Sequence, residues 1–109
     1  MTPYILFPED NQHFHRELKK ACDKHSPDLY PEFKKECDDY FYIKHRGERR
    51  GIGGIFFDDF DRPDKEGAFA FERSCGYVFL DAYLPLIEKN HLKSYTNDDR
   101  EWQLLRRGR

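Results

Sequence analysis

The run Lys44-His45-Arg46-Gly47-Glu48-Arg49-Arg50-Gly51-Ile52-Gly53-Gly54 sets three arginines, a lysine and a histidine against closely spaced glycines. Guanidinium groups pair bidentately with carboxylates, and each such charge-assisted bond contributes about 1.5–3 kcal/mol. Glycine tolerates positive φ angles and lets another group come close to the backbone. Arg46, Arg49 and Arg50, beside Gly53 and Gly54, are therefore candidate binding residues for a ligand with several carboxylates. A solvated basic patch is the competing reading. Glu48 lies in the same turn and is expected to orient one of the arginines. A nucleotide loop is excluded by order. Phosphate-binding loops run strand, glycines, helix, whereas here a helix precedes the glycines and a strand is expected after them.

The histidines divide by geometry. His13 and His15 are two residues apart on an expected helix, roughly 200° around its axis, and cannot hold one ion together. His15 flanks an apolar stripe. His45, expected on the inner side of the next helix end, could face it across two antiparallel helices. Two ligands leave a metal site incomplete, and satisfied core histidines are the alternative. Asp58, Asp59 and Asp61 lack the spacing and glycine of a calcium loop and read as a solvated acidic turn balancing the arginines. Cys22, Cys37 and Cys75 form no CxxC pair and read as free thiols.

The elements that must carry these groups are mainly helices. Thr2–Phe7 reads as a short strand stopped by Pro8. A helix is expected over Glu9–His25, with Phe14, Leu18, Ala21 and Cys22 on one stripe. A second helix takes Pro31 in its first turn, has the stripe Phe33, Cys37, Tyr40, Phe41 and Lys44, and ends where the arginines begin. Ile55–Phe57 reads as a strand. A long helix is expected over Asp64–Asn90, with Phe69, Arg73, Tyr77, Leu80 and Leu84 on one face and a kink or break at Pro85. The last helix is expected from about Asn97 to Arg107, with Trp102 and Leu105 as apolar contacts and Gly108 as its cap.

Composition limits the rest. The 109 residues suit one domain or part of one. Ten Phe, seven Tyr and one Trp supply large buried areas that a disordered chain would lack. A net charge of −2 argues against a general nucleic-acid binder. No apolar stretch approaches the roughly 20 residues that span a membrane, and no signal peptide opens the chain, so a cytoplasmic setting is expected. Two expected strands cannot make a stable sheet with four helices, which marks the chain as a single partial domain.

The segment His45–Gly54, with Phe56-Phe57-Asp58-Asp59 after it, closely resembles the signature of the oxygen-dependent coproporphyrinogen-III oxidases of haem synthesis. Thr2-Pro3-Tyr4, His13-Phe14-His15-Arg16, Asp28-Leu29-Tyr30-Pro31, Ala82-Tyr83-Leu84-Pro85 and Leu105-Arg106-Arg107-Gly108-Arg109 agree with it, so the resemblance covers essentially the whole chain. One departure is Glu36, where the family usually has Trp, and lost packing is expected there. The resemblance implies an α+β fold, a large antiparallel sheet flanked by helices, of which this stretch is the helix-rich centre. It implies a homodimer, with the His45 position linked to dimerisation. It also implies oxidative decarboxylation of two propionates of coproporphyrinogen III to vinyls. Molecular oxygen is the co-substrate and protoporphyrinogen IX the product, with carbon dioxide and a peroxide or water equivalent released.

In the same resemblance His15 and His45 match two of four histidines of a divalent-metal site described in bacterial members. No flavin, haem or nucleotide is implied. The other two histidines, an Asn-x-Arg segment and an aspartate before Thr2 belong to an upstream stretch, and aromatic strands belong downstream. No catalytic residue is therefore assigned within this chain, and the 109 residues alone are expected to be inactive. If the source is eukaryotic, a mitochondrial or plastid location is open, because a targeting segment would lie upstream. The alternative is a non-enzymatic module whose basic turn docks acidic peptide or RNA.

Overall fold

The computed structural model describes residues 1–107, with side-chain surroundings through residue 106. Four helices, α1 (Pro8–Asp23), α2 (Leu29–Tyr40), α3 (Lys65–Asn90) and α4 (Asn97–Arg107), account for most of it. The strands β1 (Tyr42–Ile43) and β2 (Glu48–Arg49) pair antiparallel as a small hairpin around a 3-10 turn at Lys44–Arg46. Arg107's side chain, Gly108, expected as the helix cap, and Arg109 lie outside the described residues.

Local chemistry explains where the helices start. Pro8 opens α1 with its φ already suitable, and Glu9 and Asp10 sit in the first turn near the positive end of the helix dipole. Asp64 caps α3 by accepting from the Gly67 amide at 2.8 Å. Thr96 and Asp99 form a reciprocal box at the start of α4: the Asp99 carboxylate accepts from the Thr96 amide at 2.8 Å, and Thr96 Oγ1 accepts from the Asp99 amide at 3.1 Å.

The core lies between α1 and α3. Phe14, Leu18 and Ala21 of α1 meet Val78, Ala82 and Leu86 of α3 in one buried cluster. A second cluster holds Cys22, Leu29, Phe33 and Phe71, with Phe57 and Phe60 packed on it. The rings of Phe33, Phe57, Phe60 and Phe71 all touch one another, with centroids 4.8–5.9 Å apart. Edge and tilted contacts of this kind add about 0.5–1.5 kcal/mol per pair beyond area burial. The Asp58–Asp61 turn threads two of these phenylalanines into the core while its acidic side chains remain exposed.

Several expected elements differ. Thr2–Phe7, which bends at Tyr4 and Ile5, and Ile55–Phe57 are connections rather than strands, because no neighbouring strand edge among the described residues meets them. Phe56 instead donates its amide to the Phe33 carbonyl of α2 at 3.1 Å. Helix α2 ends at Tyr40, so the arginines belong to the hairpin and not to a helix end. Tyr40 and Lys44 are exposed, leaving Phe33 and Cys37 as the buried stripe of α2 with Leu29. On α3 the face carrying Phe69, Tyr77, Leu80 and Leu84 is turned outward, while Phe71, Val78, Ala82 and Leu86 face α1.

Pro85 does not divide α3. It cannot donate to the carbonyl of Asp81, four residues back. His13 of α1 supplies the missing donor: its Nε2 lies 2.9 Å from that oxygen. A gap in one helix is thus closed by a side chain from the other.

Candidate functional site

In the hairpin, Tyr42 pairs with Arg49 and Ile43 with Glu48, and the Arg50 amide extends the ladder to the Phe41 carbonyl at 3.0 Å. Gly47, at φ 63°, closes the turn. This pairing spreads the three arginines over different surroundings. Arg46 donates from Nη1 to Glu48 Oε1 at 2.9 Å, as expected for Glu48. Arg49 Nε stands 3.7 Å from Asp38 Oδ2, an oxygen that also accepts from Lys34 at 2.6 Å. Arg50 is exposed and has no side-chain partner among the described residues.

A fourth cation arrives from α4. Arg106 Nη1 lies 3.8 Å from the same Glu48 oxygen that Arg46 engages. Its guanidinium stands 4.9 Å over the Trp102 ring, and its side chain is only 16% exposed. Arg106 Nε is buried without an acceptor among the described residues. The acidic turn at 58–61 does not balance the arginines; that role falls to Asp38 and Glu48.

The glycines serve the chain's own packing. Gly51 and Gly53 adopt φ of 66° and 77°. A Cβ on Gly51 would fall 2.3 Å from the Met1 carbonyl, and one on Gly53 2.9 Å from Asp38 Oδ1. The Ile52 amide donates to the Met1 carbonyl at 3.1 Å. Gly54 lies against Phe14 and Leu18 of α1.

His15 reaches the same turn from α1. Its Nε2 lies 2.7 Å from the Ile52 carbonyl and its Nδ1 2.9 Å from the Tyr30 hydroxyl. The carbonyl can only accept, so Nε2 carries the proton and Nδ1 accepts from Tyr30. Burial holds the His15 pKa below its ordinary 6.5, against the raising effect of the Ile52 carbonyl, and the ring stays neutral at pH 7. His45 is exposed in the 3-10 turn, away from any helix end, and no hydrogen bond joins it to His15. No group of three or more His, Cys, Asp or Glu side chains with metal-holding geometry exists among the described residues.

Two arrangements had no signal in the sequence. Asp10 is buried at the start of α1 and accepts from Lys89 and Asn90 of α3, each at 2.6 Å. Burial pushes its pKa up, but the Lys89 and Asn90 hydrogen bonds outweigh that and hold it below its ordinary 3.8. The second is Tyr30, the orienting partner of His15. Both join residues far apart in sequence. The three cysteines are free thiols; burial pushes Cys22 up to about 12 and Cys75 to about 11, which makes both inert at neutral pH. Glu36 is exposed on α2, so its carboxylate costs no packing among the described residues.

The class these features define is a helix-rich scaffold that displays clustered guanidinium groups on a rigid turn. Over residues 1–109 it matches the family model described as coproporphyrinogen III oxidase. The chain belongs to that family. It is 60% identical over its full length to the mitochondrial oxygen-dependent coproporphyrinogen-III oxidase of Rattus norvegicus, covering 25% of that protein. It is 58% identical to the Drosophila melanogaster oxygen-dependent coproporphyrinogen-III oxidase and 54% to the chloroplastic one of Glycine max, in each case across all of this chain and 28% of the relative. The chain thus spans about a quarter of the length of the curated relatives it matches. No helix among the described residues is long and apolar enough to cross a membrane.

Proposed function

We propose that this chain is the arginine-bearing portion of an oxygen-dependent coproporphyrinogen-III oxidase, which converts two substrate propionates to vinyls with molecular oxygen as co-substrate. The observation that carries the reading is Arg50, a guanidinium presented on a fixed hairpin with no side-chain partner among the described residues. Beside it Arg46 and Arg49 are held by carboxylates that leave some of their donors available. Donors of this kind suit propionate groups: the hairpin carries all three arginines on one turn, and Glu48 orients Arg46. Gly53 and Gly54 contribute by shaping the turn. The docking-module alternative has no support in the family match.

His15 does not fit a metal ligand in this arrangement. Its unprotonated nitrogen already accepts from Tyr30, and its other nitrogen is bonded to the Ile52 carbonyl. In the whole protein the large antiparallel sheet would come from sequence outside this chain. His45 is exposed and available to a second copy in a homodimer. The mitochondrial rat relative and the chloroplastic soybean relative support a mitochondrial or plastid location.

The test is Arg50→Ala in the full-length protein. Removing one charge-assisted pair to a propionate should weaken binding of coproporphyrin III, the unreactive oxidised tetracarboxylate, by about tenfold or more. Unchanged affinity in fluorescence titration would remove the hairpin from the substrate site.

A further inference from the structure

We propose that Glu48 is a positioning residue that clasps Arg46 of the hairpin and Arg106 of α4 into one cradle for a ligand carboxylate. The inference rests on the reading of the hairpin as a carboxylate-binding element and extends it to α4. One oxygen, Glu48 Oε1, faces both guanidinium groups, at 2.9 Å from Arg46 Nη1 and 3.8 Å from Arg106 Nη1. Two cations this close repel each other unless an anion stands between them.

The cradle's donors are also incompletely used. Arg106 Nε is buried and has no acceptor among the described residues. A buried guanidinium nitrogen without an acceptor marks a place where an oxygen is wanted. The Trp102 ring lies 4.9 Å from the Arg106 guanidinium carbon and restricts its movement on that side. The hairpin and α4 are far apart in sequence, and the Glu48 ion pair is one contact that joins them. The ligand class this fits is a carboxylate attached to a larger body, held by Arg46 on one side and Arg106 on the other.

Glu48→Gln tests the proposal because two models predict opposite signs. A plain basic patch gains a net positive charge and should bind coproporphyrin III more tightly. A cradle loses the anion that aligns its guanidinium groups and should bind it about tenfold more weakly or worse, with KM raised more than kcat is lowered. Arg106→Ala should weaken binding similarly, and the double variant should be little worse than either single one. Tighter or unchanged binding by Glu48→Gln, or fully additive losses in the double variant, would overturn the proposal. Arg50→Ala, run alongside, separates the two ideas. If it has no effect while Glu48→Gln weakens binding, Arg50 leaves the site and the cradle stands. If Arg50→Ala weakens binding and Glu48→Gln does not, the hairpin remains a site and the cradle falls. Far-UV circular dichroism and thermal melting of each variant confirm that the comparison is made between folded proteins; should Glu48→Gln fail to fold, Arg106→Lys replaces it, and full affinity in that variant would equally overturn the proposal.

Discussion

At the scale of single residues, hydrogen bonding decides what each titratable group does. His15 donates to Ile52 and accepts from Tyr30, so it ties α1 to the glycine turn and to the start of α2. Tyr30→Phe would leave its Nδ1 without a donor. The expected loss is about 1 kcal/mol in chemical unfolding; no loss would show that the ring does not depend on Tyr30. The same histidine makes stability fall in mild acid. Its folded pKa lies below the ordinary 6.5. Its contribution is therefore complete above 6.5 and declines as pH falls from there through the lowered folded value. Asp10 acts in the same direction further down: its contribution is complete above 3.8 and is lost as pH falls through a folded pKa below that. Unfolding free energies measured between pH 8 and 3 should show the histidine step first, and His15→Gln should remove that step alone.

At the scale of elements, glycine has opposite meanings in the turn and in the helix. Gly51 sits at φ 66° with the Met1 carbonyl 2.3 Å from where a Cβ would be. Gly51→Ala should therefore cost about 1–3 kcal/mol, through the backbone angle and the clash together. Gly76, inside α3, has nothing within 4 Å of a built Cβ. Gly76→Ala should raise stability by about 0.5–1 kcal/mol. Thermal melts of the two variants should move in opposite directions. Helix α3 also keeps a long apolar face outward, including Phe69, Tyr77, Leu80 and Leu84. A helix apolar on both sides is suited to burial on both.

At the scale of the whole molecule, the proposed binding surface of the hairpin is open rather than enclosed among the described residues. Arg50 and Arg49 face solvent, whereas oxidation of a propionate side chain needs groups preorganised away from water. The 109 residues by themselves should give no detectable turnover of coproporphyrinogen III under oxygen, assayed by porphyrin fluorescence. Turnover by the isolated chain would mean that the chemistry needs nothing beyond these residues.

The sequence by itself determined the helices and the family. Helix periodicity, caps and breaking prolines are local signals, readable over a few turns, and α1 and α3 appear close to where their patterns put them. The long signature from His45 to Asp59 is contiguous and needs no fold to be recognised. Tertiary structure alone decided the remainder. Both faces of α3 are apolar, so only packing selected the inner one: Val78, Ala82 and Leu86 against α1, and Phe71 against Cys22, Leu29 and Phe33. Strands exist only where an edge is available to pair, which is why Thr2–Phe7 and Ile55–Phe57 stayed unpaired while the short Tyr42–Arg49 hairpin formed. The Asp10 clasp, the His13 bond that covers the gap at Pro85, and the Glu48 bridge to Arg106 each join residues distant in sequence. No local pattern encodes such contacts, because their partners meet only after the helices have packed.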